Sequence, residues 1–243
     1  MCKAFSCIVN KTGKVYWKFG MDSHEDIKKE YKLKDTLDIC PCEISPKNDD
    51  YLKPNKWIFK FDEKEPSWWK TRYEKRCWDA HKKWLAKLDT ILIRKTIIHP
   101  FKIKPPEITD EHIRLLKEWD SVRDSVGNSV GYSVRDSVGN SVGNSVWDSV
   151  EHVGDSVWDS VWGSVGDSVR AYIGSFFLLK EWKYTKIKIK GYPFRSAVTL
   201  WEMGLVPSFD EEIWRLHGGK NAEVLFQISQ KDLKKWKPKE VKP

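Results

Sequence analysis

Long apolar runs are missing from this sequence: none approaches the roughly 18 consecutive residues that a membrane-spanning helix requires. The first residues also carry no signal-peptide core. A soluble, cytoplasmic protein with no membrane partner is therefore expected. Cysteine is scarce and odd in number (Cys2, Cys7, Cys40, Cys42 and Cys77), which without an export signal points to reduced thiols and not a disulfide framework. The six histidines include no His-x₃-His pair. The one turn rich in backbone N–H groups beside a lysine, His217-Gly218-Gly219-Lys220, lacks the strand–loop–helix setting of a phosphate loop and reads as a β-turn. No cofactor is expected from these absences.

Lysine, tryptophan and one repeated word are abundant. The net charge is +8 and there are 14 Trp. Between Trp119 and Val169 about 12 four-residue units follow one another, all ending Ser-Val, with one short unit, Glu151-His152-Val153. The first letter of the word is Gly, Trp or Arg, and the second is nearly always Asp or Asn. The repeat carries roughly 8 acidic and 3 basic residues, so the positive charge belongs to the flanks. Basic flanks fit nucleic-acid contact, yet they equally fit a lysine-coated soluble surface.

On a helix, a four-residue period advances each Val by about 40°, so a long stripe would wind off any single face. Gly, Asn, Asp, Ser and Val are also indifferent or poor helix formers, each costing roughly 0.5–1 kcal/mol relative to Ala. A short β-solenoid is the expectation, with Val inward and Asp or Asn at the corners. A helical repeat section is the alternative, in which the short unit would partly reset the drifting stripe. In the solenoid the Ser-Val pair is scaffold, and the first-letter residues Trp119, Arg123, Arg135, Trp147, Trp158 and Trp162 project outward as a binding surface.

The flanks read as two small α+β domains. In residues 1–105, strands at Ala4–Val9 and Val15–Phe19 enclose a turn at Asn10–Gly13, and a short helix starts at Ser23. Strands follow at Cys40–Ile44 and Lys56–Phe61, then a helix from Ser67 to about Leu92. The mixture of Trp and Lys on that helix has the spacing of a core face with a solvated lysine face, although Trp beside Lys also suits stacking on bases. Residues 106–118 form a linker and a short helix opened by Thr109, and 119–170 the repeat. In 171–243 a helix at Pro193–Met203 precedes a hairpin of Ile213–Leu216 and Ala222–Ile228, and the Lys-rich end reads as frayed.

Two constellations invite chemistry. Removal of Met1 would expose Cys2 as a nucleophile with its own α-amino group as base. The run Met1-Cys2-Lys3-Ala4-Phe5, with Gly13-Lys14-Val15-Tyr16 and Met21-Asp22, resembles the opening of cysteine N-terminal-nucleophile hydrolases of the choloylglycine hydrolase and penicillin V acylase type. That resemblance implies amide hydrolysis with Cys2 attacking and Asp22 positioning it. It covers about 22 residues, and Lys18 and Phe19 stand near the place of the family's arginine. Separately, Cys2, Cys7, Cys40 and Cys42 could ligate zinc, but their x₄ and x₁ spacings differ from the Cys-x₂-Cys of zinc knuckles.

The whole chain resembles a group of phage and metagenome proteins of undefined function. They share a Met-Cys-Lys-Ala-Phe-Ser-Cys-Ile-Val start, an Asp-Ser-Val tract and a Leu-Trp-Glu-Met-Gly-Leu-Val-Pro-Ser-Phe-Asp ending. The resemblance implies a viral or microbial source, with host cytoplasm as the location if viral. The expectation is a non-enzymatic structural or interaction protein whose partner is another protein or a second copy of itself. A Cys2 amidase and a weak nucleic-acid binder are the competing readings.

Overall fold

The computed structural model describes residues 5–47, 56–94, 96–161, 165–185 and 191–238. These residues are α+β, as expected, with eight α-helices and two small antiparallel sheets. The chain forms two compact units, one from Met1–Ile93 with Val134–Ser149, the other from Arg94–Ser133 with Val150–Pro243. The repeat is thus shared between them. No described helix is long and apolar enough to cross a membrane.

In the first unit a sheet of order β2-β1-β3-β4 is built from β1 (Phe5–Asn10), β2 (Val15–Tyr16), β3 (Ile39–Ser45) and β4 (Ile58–Phe61). The turn expected at Asn10–Gly13 forms because the Asn10 Oδ1 accepts from the backbone N–H groups of Thr12 and Lys14, at 3.1 and 2.9 Å. Gly13 takes φ +81°, and a Cβ there would strike the Tyr73 ring. Both α1 (His24–Tyr31) and α2 (Thr71–Leu88) pack on β1, whose residues Phe5–Val9 are all buried. Phe5 meets His81 and Trp84 of α2 at ring distances of 5.5 and 5.8 Å, while its neighbour Ser6 donates to the Asp22 carbonyl just ahead of α1 at 2.8 Å. Alternate residues of one strand therefore serve two layers.

The core-face reading of α2 holds. Tyr73, Cys77, His81 and Trp84 are buried, while Lys82, Lys83 and Lys87 face water. His81 is enclosed by Phe5, Trp57, Trp78 and Trp84. Its Nε2 has no hydrogen-bond partner among the described residues, and burial pushes its pKa down to about 4.

The second unit holds α3 (Asp110–Val122), α6 (Gly166–Gly174) and α7 (Arg195–Glu202) against a sheet of β5 (Val206–Phe209), β6 (Ile213–Gly218) and β7 (Glu223–Ser229). Thr109 opens α3 as expected, its N–H donating to His112 Nδ1 at 3.0 Å in a capping box. Trp201 stacks on Tyr172 with rings 4.8 Å apart, and Trp119 meets Phe194 edge-on. Two elements depart from expectation. Val206–Phe209 is a strand, because Pro207 lies in β5, which pairs only with β6 at the sheet's edge. Gln230–Lys235 forms α8, capped by Ser229 accepting from Asp232 N–H at 3.1 Å, where fraying was expected.

The repeat is helical, and the expected β-solenoid gives way to the helical alternative. After α3 come a 3₁₀ turn (Arg123–Ser125), α4 (Val126–Val138) and α5 (Asn140–Ser160), with α6 taking the last word. Every described Val of the Ser-Val words is buried, and so are Ser125, Ser129 and Ser133. Neighbours such as Ser129 and Val130 would face opposite ways in an extended chain, whereas on a helix they lie about 100° apart on one broad face. As each Val advances by about 40°, the Ser behind it rotates into the arc its predecessor left. Propensity loses here because helices in a folded protein are held mainly by burial of a face.

Candidate functional site

The repeat's outer letters come first, since they carry the expected surface. Trp147 and Trp158 are 38% and 46% exposed, and Arg135 is exposed beside Asp136. The Trp158 ring lies over Gly166, where a Cβ would come within 2.5 Å of it. Glycine at that first-letter position lets the flat ring rest on the backbone.

Two expected surface residues are elsewhere. Trp119 is fully buried and belongs to the core, because its word sits in α3 against α7. Arg123 is committed internally: it pairs with Asp167 and Asp124 at 3.2 Å each and lies over the Phe209 ring at 4.8 Å. Trp162 lies outside the described residues. An exposed aromatic pair that the sequence did not suggest takes their place: Tyr132, a second-letter exception, meets Tyr184 with ring centroids 5.0 Å apart.

The cysteines converge. Cys7 of β1 stands opposite Cys42 of β3 in the register, and Cys40, two residues away on the same strand face, brings its Sγ to 3.8 Å from that of Cys42. Cys77 of α2 completes the group by side-chain interaction with both Cys7 and Cys42. Its position on the apolar face of α2 was the only sequence signal for it. Cys2 lies outside the described residues.

All four thiols are buried. Cys42 is pushed up by its bonds to Cys40, Cys7 and Cys77, and burial adds to this. For Cys7 the bond with Cys42 pulls down, but Cys77 and burial outweigh it and the thiol ends well above the usual range. Cys7 and Cys42, held protonated, behave as small hydrophobic packing, whereas the bonds with Cys42 and Cys7 draw Cys77 down to about 5 against the effect of its burial. Cys40 is lowered as well. Its bond with Cys42 draws its pKa below the usual thiol value, and it borders a pocket of about 550 Å³ whose rim includes Lys28, Asp35, Leu37, Glu63 and Glu65.

Asp22, the expected partner of Cys2, is half-buried ahead of α1, with its carbonyl taken by Ser6. Of His217-Gly218-Gly219-Lys220, the first two residues close β6 and the last two open the turn to β7. His217 is buried, with Nε2 2.7 Å from Ser208 Oγ and Nδ1 3.1 Å from the Ala222 carbonyl, and burial lowers its pKa. Both groups are interior, so this pair ties β5 to β6.

Among the described residues, the group whose ligand atoms converge as a metal site requires is a different one, His24, Glu43 and Asp62, with all three atoms within 4.8 Å of one another. No protein-family model, curated protein or solved structure matches this chain.

Proposed function

We propose that the chain is a non-enzymatic structural or interaction protein whose helical repeat carries a partner-facing surface. One observation carries this reading. In α4 and α5 the described Val of the Ser-Val words make the buried face, joined in α4 by Ser129 and Ser133, whereas Arg135, Trp147, Trp158 and Tyr132 stand on the solvent side. Side chains can therefore be exchanged on the outer face with little cost to the fold, which is how a scaffold acquires specificity. Exposed Trp and Tyr are the residue types that dominate interface energetics. The partner is another protein or a second copy of the chain.

Replacing Trp147, Trp158 and Tyr132 by Ser in the full chain tests this. Sedimentation and cross-linking should show loss of association while the thermal transition stays within a few degrees. Unchanged association, or unfolding of the variant, contradicts the proposal.

A further inference from the structure

His24 is the first residue of α1 and is almost fully buried. Its Nε2 lies 3.2 Å from the carbonyl oxygen of Cys42. A carbonyl only accepts, so Nε2 carries the hydrogen of that contact, and Nδ1 is the ring nitrogen on the Asp62 side. That nitrogen lies 3.2 Å from Asp62 Oδ2, a second acceptor. The Glu43 carboxylate, on the strand residue next to Cys42, brings a third ligand atom within 4.8 Å of both.

We propose that His24 Nδ1, Asp62 and Glu43 bind one divalent transition-metal ion of the zinc class. Zinc–nitrogen and zinc–carboxylate bonds are about 2.0–2.2 Å, which sets neighbouring ligand atoms of a tetrahedral site roughly 3.3–3.6 Å apart. The His24–Asp62 pair, at 3.2 Å, is about 0.1 Å short of that spacing. Asp62 and Glu43 are not buried, so rotation of their side chains closes what remains. The bond from Nε2–H to the Cys42 carbonyl is the outer contact that fixes the ring's orientation and tautomer when the other nitrogen holds a metal. One imidazole with two carboxylates favours zinc, manganese or ferrous ion over magnesium or calcium, which take oxygen ligands alone. The positive end of α1 opposes a cation, and Glu25 and Asp26 in its first turn offset that field. Three protein ligands leave an open coordination position.

The competing account is a direct His24–Asp62 side-chain pair with no metal. The four buried thiols are a rival zinc site, and cobalt separates the two because thiolate ligation gives an intense sulfur-to-metal charge-transfer band. The full chain, stripped with a chelator, is titrated with Zn²⁺ and with Co²⁺ while the His24 ring nitrogens are followed by NMR. The expected result is one equivalent bound, movement of the Nδ1 resonance, a cobalt spectrum without the thiolate band, and at least tenfold weaker binding in both Asp62→Asn and Glu43→Gln. Asp62 is exposed enough for its variant to keep the fold. No binding at roughly 100 µM ion, wild-type affinity in both variants, or a thiolate band abolished by Cys40→Ser would each overturn the site.

Discussion

The helices α4 and α5 are written in the same word and solve its geometry differently. In α4 the valines 126, 130, 134 and 138 keep strict four-residue spacing, so they fan across about 120°. A face of that width is already a full apolar stripe for a helix packed on one side, and α4 ends there, at Gly139 with φ +87°. In α5 the three-residue unit Glu151-His152-Val153 intervenes, and valines 146, 150, 153 and 157 fall within about 60°. This helix runs 21 residues against 13 for α4. The short unit is a phase correction, and the tetrapeptide repeat can be helical only where something restores its phase every few words.

The most severe way to break this contrast is to complete the short unit. Inserting Ser between His152 and Val153 rotates everything after it by about 100°, taking Gly154 and fully buried Val157 off their face. A loss of about 3 kcal/mol or more in chemical denaturation is expected. A smaller test stays within one word: Val150→Ala should cost about 2 kcal/mol and its half-exposed neighbour Trp147→Ala about 0.5 kcal/mol. Equal losses would mean that the inner and outer letters are not distinguished.

Gly139→Ala probes the other solution. Positive φ and a Cβ only 3.2 Å from the Gly20 carbonyl oxygen should destabilise the protein by about 1–2 kcal/mol, read as a shift in Tm. Gly131→Ala, in the interior of α4 with open space around it, should be neutral or slightly stabilising.

His81 supplies a reference outside the repeat. Above pH 6.5 the ring is neutral in the folded and unfolded chains alike. Between pH 6.5 and about 4 the unfolded chain takes up a proton that the folded one refuses, so stability falls as pH falls. At pH 5.5 the penalty is about 1 kcal/mol. His81→Phe should remove that slope, leaving the part due to His99, His112 and His217, whose burial also lowers them. The differences among the repeat variants should be the same at pH 7 and pH 5.5.

Much of the flanking structure was legible because local signals and burial agree there. Asn10 to Gly13 specified a turn, Thr109 a helix start, and the spacing of Tyr73, Cys77, His81 and Trp84 a core face. The repeat was misread because propensity and drift both argue against one long helix, and neither speaks against several short ones. The signal was present in Glu151–Val153, whose missing letter is a defect in a solenoid and a correction in a helix. Trp119 misled for a related reason, since a word's letters name a helical angle and the neighbouring α7 decides what covers it.

The metal-like trio was invisible to motif reading. His24, Glu43 and Asp62 have no characteristic spacing and meet only because α1, β3 and the end of β4 converge. Cys77 joined the other thiols in the same way, through a helix packed across a sheet.

The most direct test of the repeat account is the set of backbone carbon chemical shifts from residue 126 to 160 in the full chain. Two helical stretches meeting at Gly139, with Glu151–Val153 helical throughout, are predicted. Strand-like shifts in the Ser-Val pairs, or a helix break at the short unit, would contradict it.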